Sequence, residues 1–114
     1  MLAQKSRLTG VKNFKAVEVN GEIYQSENFG IARLNRNDDG PSRFAFVVSS
    51  KVAKDAVDRN KFKRAMSEAV RTSMIDVKNG FDVVFLAKTS IVRIPTSELM
   101  REVKFALKDS GLIK

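Results

Sequence analysis

The sequence predicts a single-domain α+β sandwich in which a long helix carries the chain between two neighbouring, parallel strands. Three observations support this prediction. A chain of 114 residues, 43% of them apolar, can bury one modest core and has little room for a second domain. Three segments read as strands: "NFGIARLNR" alternates apolar and polar residues, whereas "RFAFVVSS" and "FDVVFLAK" are nearly continuous apolar runs. The longest helical period, from roughly Val57 to Ile75, lies between the last two, so it must be their crossover.

The elements follow in order. The basic start "MLAQKSRLTG" reads as a flexible arm over residues 1–10. A short amphipathic helix then runs through "VKNFKAVEV", with Val11, Phe14 and Val17 as its stripe and Asn20-Gly21 as its end. The first strand, "NFGIARLNR", meets a turn at "NDDGPS", and a hairpin is the natural joint to "RFAFVVSS". In that second strand Phe44, Phe46 and Val48 share one face and Ala45 and Val47 the other, so both sides are expected to be buried. Phe62, Ala65, Met66, Ala69 and Val70 stripe the long helix, which Asn79-Gly80 closes. After "FDVVFLAK" and Pro95, Thr96 is expected to cap a last helix through about Lys108, with Glu98 and Glu102 near its positive end. Phe44, Phe46, Phe62, Phe81 and Phe85 are read as core, and Asp38-Asp39 beside Gly-Pro as turn residues and not a metal pair.

Charge narrows the function. The chain has no cysteine and no histidine, so disulfides, thiolate metal sites and the commonest general acid/base are excluded. No run of 18 apolar residues and no signal-like opening is present, so a cytoplasmic protein without membrane contact is expected. The net charge of +8 is concentrated. Lys5, Arg7, Lys12 and Lys15 stand among the first 15 residues with no acid. Residues 51–71 carry Lys51, Lys54, Arg59, Lys61, Lys63, Arg64 and Arg71 against Asp55, Asp58 and Glu68, and the rest of the chain is balanced. Such concentration is the footprint of a nucleic-acid binder.

A helical wheel sends Phe62, Ala65, Met66 and Ala69 to one side and Asn60, Lys63, Arg64, Ser67 and Arg71 to the other, with Arg59 and Lys61 on the flanks. A solvated face supported by Glu68 with Arg64 and Arg71 is the bland account. Against it, the excess of cations is more repulsion than a purely structural helix needs. Arginine forks match phosphate oxygens, lysine supplies a mobile charge, and asparagine can read sugar or base edges. This set suits folded RNA, whose A-form surface presents phosphates and 2′-hydroxyls.

The segment "RFAFVVSSKVAKDAVDRNKFKRAMSEAVR" resembles the bacterial ribonuclease P protein component: an apolar strand ending in Val-Ser, a lysine-bearing loop, then an Arg-Asn-Arg-x-x-Lys-Arg-like helix start with Glu-Ala-x-Arg further on. "RLTGVKNFKAV" and "GFDVVFLAK" look like that family's opening arm and last strand. Lys61 stands where the family has a second arginine, Ser50 where it often has a lysine, and Glu18 and Ala32 where aromatics are common. The resemblance implies an α-β-β-β-α-β-α sandwich with a left-handed β-α-β crossover, similar to the second domain of ribosomal protein S5. It further implies a subunit that joins a catalytic RNA, which with Mg2+ removes the 5′ leader of precursor tRNA, with no obligate protein partner. No catalytic side chain is expected from the protein.

By that resemblance Lys51, Lys54, Arg59, Asn60, Lys61, Lys63, Arg64 and Arg71 contact the catalytic RNA, and Phe14, Lys15 and Lys88 face the leader in a cleft between the first helix and the sheet. Phe14 has two readings, a stacking platform for single-stranded nucleotides or a core residue beside Val11 and Val17. Lys88 either lines the cleft or blunts a sheet edge. A non-catalytic, ribosome-associated RNA binder is the alternative function. A helix-reading DNA protein is disfavoured, because a crossover helix is poorly placed to enter a groove.

Overall fold

The computed structural model describes residues 2–114. The chain runs α1 (Val11–Asn20), β1 (Glu22–Gln25), β2 (Phe29–Asn35), β3 (Arg43–Val47), α2 (Ala56–Ser73), β4 (Phe81–Ala87) and α3 (Thr96–Asp109), with short 3-10 turns at Gln4–Ser6, Met74–Asp76 and Thr89–Arg93. The strands form one mixed sheet in the order β1-β2-β4-β3. β1 and β2 pair antiparallel, as do β2 and β4, whereas β3 and β4 are parallel and are joined through α2.

The expected hairpin between "NFGIARLNR" and "RFAFVVSS" does not form, because β4 lies between β2 and β3. β4 is buried on both faces, by Val83 and Phe85 on one and Val84 on the other, so it occupies the centre of the sheet. The turn after β2 instead passes over the start of β4: the Arg36 N–H donates to Gly80 O (2.7 Å) and the Gly80 N–H to Gly40 O (2.8 Å). Gly80 sits at φ +89°, and a Cβ there would lie 2.4 Å from the Asp38 carbonyl oxygen, so no other residue fits this crossing. The true hairpin is β1–β2. The β1 segment "EIYQ" is short and mostly exposed, which leaves no alternation to read.

Two cores flank the sheet. The larger packs Phe29, Ile31, Phe44, Val83 and Phe85 against Phe62, Met66, Ala69 and Val70 of α2 and Leu99, Val103 and Leu107 of α3. Phe85 is its hub, with ring centroids 5.4, 6.4 and 5.2 Å from Phe29, Phe44 and Phe46. The smaller joins Leu8, Val17, Ala32 and Val84, with Phe14, Leu34 and Ala45 packed against it, beneath α1. Phe46 and Phe81 are only half-buried, although both pack on the larger core.

Several expectations change in detail. Val11 is 83% exposed and leaves the α1 stripe. Steps of three residues drift by about 60° each, so Val11 is rotated by about 120° from Val17. Residues 2–10, read as a flexible arm, are docked: Leu2, Ser6 and Leu8 are buried, and the Leu8 N–H donates to Phe44 O at 2.8 Å, so the segment lines part of the outer edge of β3. Its charges suggested freedom, but its two leucines are buried where the segment covers the outer edge of β3, the edge that no strand pairs with. Met1, also in that expected arm, lies outside the described residues. As an edge strand β3 is not buried on both sides, and Val47 is 36% exposed. Thr96 is the first residue of α3, follows Pro95 and makes no side-chain cap. Glu98 does occupy the first turn, whereas Glu102 accepts hydrogen bonds from Ser26 Oγ (2.5 Å), Asn28 N (3.0 Å) and Asn28 Nδ2 (2.6 Å), fastening the β1–β2 turn. No helix is long and apolar enough to cross a membrane among the described residues.

Candidate nucleic-acid interface

α2 buries Phe62, Ala65, Met66, Ala69 and Val70, and this fixes which side chains it leaves outside. Asn60, Lys61, Arg64 and Arg71 are exposed and Lys63 is half-buried, while Lys51 and Lys54 project from the loop before the helix. Asp55 and Asp58 stand at the helix start, where unpaired backbone N–H groups favour negative charge. Among the described residues no carboxylate lies within ion-pair distance of Lys61, Lys63 or Arg64. The middle of the helix is therefore a one-signed surface, whose field attracts a polyanion and weakens with salt.

Two of the expected contacts have structural work as well. Arg59 Nη1 donates to the carbonyls of Ala53 (2.9 Å) and Lys54 (2.6 Å), so its guanidinium ties the lysine-bearing loop to the helix. That loop is a compact turn, with the Val52 and Ala53 N–H groups both donating to Ser49 O. Arg71 pairs with Glu68, with Nε 2.9 Å from Oε1, and this hydrogen bond holds the Glu68 carboxyl below its usual range. Lys61 Nζ lies 5.6 Å from the centroid of the Phe62 ring. Ser67, assigned by the wheel to the charged side, is buried, and its hydroxyl donates to Arg64 O at 3.1 Å. The reason is tertiary: this flank of α2 faces Phe46 of β3, and Asn60, Lys63, Arg64 and Ser67 line a cavity with it.

The leader set lies elsewhere. Phe14 is half-buried and packs against the smaller core, and Lys15 beside it is exposed. Lys88 follows β4, and its ammonium donates to the Ser26 carbonyl in the β1–β2 turn (2.6 Å), leaving two of its three protons for a ligand. On the α1 side of the sheet, Leu86 is 43% exposed and pairs across the ladders with Val47 and Gly30, forming an apolar strip that α1 does not cover. Sequence reading missed Leu86 and Val47 as surface residues, because continuous apolar runs look buried whatever their place in the sheet. Glu18 is exposed and Ala32 is buried beneath α1.

Magnesium would need several oxygen ligands held together. Among the described residues no group of three or more acidic side chains is so arranged. Asp38 accepts from both Arg36 and the Gly40 N–H, as a turn residue does. Asp82 is held by Arg36 Nη1 (2.6 Å) and bidentately by Arg43 (2.7 Å each), and Glu102 by the β1–β2 turn. The chain's own carboxylates do not fit a magnesium cage.

Fold and surface together define a small, basic α+β protein with a cationic helix-and-loop face on one side of its sheet and a shallow apolar strip on the other. The model of the Ribonuclease P family matches residues 2–111, and the chain belongs to that family. It is 34% identical over 112 residues to the ribonuclease P protein component of Dehalococcoides mccartyi strain CBDB1, covering 98% of this chain and 90% of the relative. To the protein component of Oleidesulfovibrio alaskensis it is 38% identical over 89 residues, which is 77% of this chain and 70% of that one. The ribonuclease P protein of Staphylococcus aureus superposes with a TM-score of 0.88 at 21% identity, over 96% of this chain and 98% of the other, a likeness of fold. That of Thermotoga maritima, in complex with 1-(4-fluorophenyl)-2-thiourea, gives 0.80 at 26% identity over 90% and 97%.

Proposed function

We propose that this chain is the protein subunit of a cytoplasmic ribonuclease P, in which it binds the catalytic RNA through α2 and the loop before it and receives the 5′ leader of precursor tRNA beside α1. The observation that carries this reading is the unpaired run Lys61, Lys63 and Arg64 on the crossover helix of a chain in this family. Lys51, Lys54, Asn60 and Arg71 extend the same surface, and Arg59 contributes chiefly by holding the loop. Phe14 offers a partly exposed ring and Lys15 and Lys88 offer charge to a single strand crossing the apolar strip of Leu86 and Val47.

The protein's share is electrostatic and positional. Magnesium bound by the RNA supplies the metal chemistry of phosphodiester hydrolysis; the side chains here lower repulsion between two RNAs and orient the leader. Cleavage of a precursor tRNA by the same organism's catalytic RNA at low magnesium, with and without this protein, tests the reading. Strong stimulation is expected. RNA binding without stimulation would instead favour a structural RNA-binding role.

A further inference from the structure

The cavity beside α2 continues past β3. One part, of about 240 Å3, is lined by Phe46, Asn60, Lys63, Arg64 and Ser67. A second, also about 240 Å3, shares Phe46 and Ser67 with it and extends to Arg7 and Thr9 of the docked N-terminal segment. The two make one groove with an aromatic floor and a cationic rim, since Arg7, Lys63 and Arg64 are its charged residues and no carboxylate lines either part.

We propose that this groove seats a single unpaired nucleobase of the bound RNA against Phe46, with the flanking phosphates on Arg7 at one end and on Lys63 and Arg64 at the other. The inference rests on the reading of α2 as an RNA-binding surface and adds to it a base-binding subsite. Each part meeting at Phe46 is smaller than the roughly 300–1,000 Å3 of a drug-sized pocket, a size that suits one ring system. The floor is rigid, because Phe46 packs on Phe85 at 5.2 Å between centroids. Over it α2 places polar residues where a purely structural flank would place apolar ones. The Asn60 amide is both donor and acceptor, and the Ser67 hydroxyl, donating to Arg64 O, keeps its oxygen lone pairs available as acceptors. An aromatic platform between cations accepts any base, because every base has a π-face.

A second groove, between α3 and the β1–β2 turn, makes the contrast. It also exposes an aromatic, Phe105, but Glu27, Glu98 and Glu102 line it beside Arg101, so it repels phosphate.

The chain contains no tryptophan, so Phe46→Trp introduces a lone reporter and Phe105→Trp a control. Each variant is titrated with the same organism's catalytic ribonuclease P RNA. The expected result is loss of indole emission at position 46 on saturation and unchanged emission at position 105. Ser67→Leu, which fills the groove without altering charge, should weaken binding by roughly tenfold and leave the salt dependence unchanged. Emission at position 46 is the deciding readout if Ser67→Leu fails to fold. Salt-dependent RNA binding with unchanged emission at position 46 overturns base insertion and leaves the phosphate contacts of α2 standing. Absence of salt-dependent RNA binding by the wild type overturns the reading of α2 itself, and this inference with it.

Discussion

The two sides of the sheet are built differently. On one side α2 and α3 close a deep core around Phe85, and α2 can carry an unneutralised run of cations because its inner face is so firmly packed. On the other side α1 covers only part of the strands, through Val17 and Phe14, and leaves Leu86 and Val47 open to solvent. The deep core and the unneutralised cations of α2 thus lie on one side, and accessible apolar surface lies on the other, beside the exposed Lys15 of α1. The proposed function, holding one RNA firmly while a single strand passes, would draw on both.

The largest expected effect comes from breaking the deep side. Phe85→Ala removes the ring that touches three other phenylalanines and should cost about 3–5 kcal/mol in urea unfolding, whereas Phe14→Ala should cost less than about 2 kcal/mol. Equal losses would erase the asymmetry. Next, Arg64→Ala should flatten the dependence of RNA affinity on log salt by about one unit. Arg59→Ala should flatten it by up to about one unit and also speed amide exchange at Val52 and Ala53, because it releases the loop carbonyls that Arg59 holds. Together the two substitutions should flatten the slope by up to about two units.

The smallest effects concern Glu68. Glu68→Gln removes the acid that pairs with Arg71 and should steepen the salt slope by up to about one unit. The hydrogen bond from Arg71 lowers the Glu68 carboxyl in the folded state, so its contribution to stability is present above the unfolded value of about 4.3 and is lost as pH falls through the lower, folded one. Thermal melts between neutral and acidic pH should show this loss in the wild type and lack it in Glu68→Gln.

Much of the fold was legible in the sequence. Periodicity marked α2 and β4 because their burial patterns are long and strong, and Asn20-Gly21 marked the end of α1; α2 stops before Asn79-Gly80, at Ser73, where a 3-10 turn over Met74–Asp76 takes over, and that second pair leads into β4 instead. Strand order was not legible, because pairing depends on which strand is buried on both faces, and local alternation says nothing of that. The docking of residues 2–10 was hidden for a related reason: Leu2 and Leu8 are two apolar residues in a basic stretch, and only an open β3 edge gives them a place. In the candidate site, composition identified the cations. It could not show that Arg59 holds a loop, that Lys88 meets a carbonyl, or that Ser67 is buried, since each depends on a neighbour distant in sequence or on the turn of a loop.

The measurement that bears most directly on the account is the salt dependence of binding to the catalytic RNA for the wild type and for Lys61→Ala, Lys63→Ala and Arg64→Ala combined. The cationic middle of α2 predicts a slope shallower by about two to three units in the triple variant, with the fold intact. An unchanged slope would show that this face does not meet the RNA and would contradict the account.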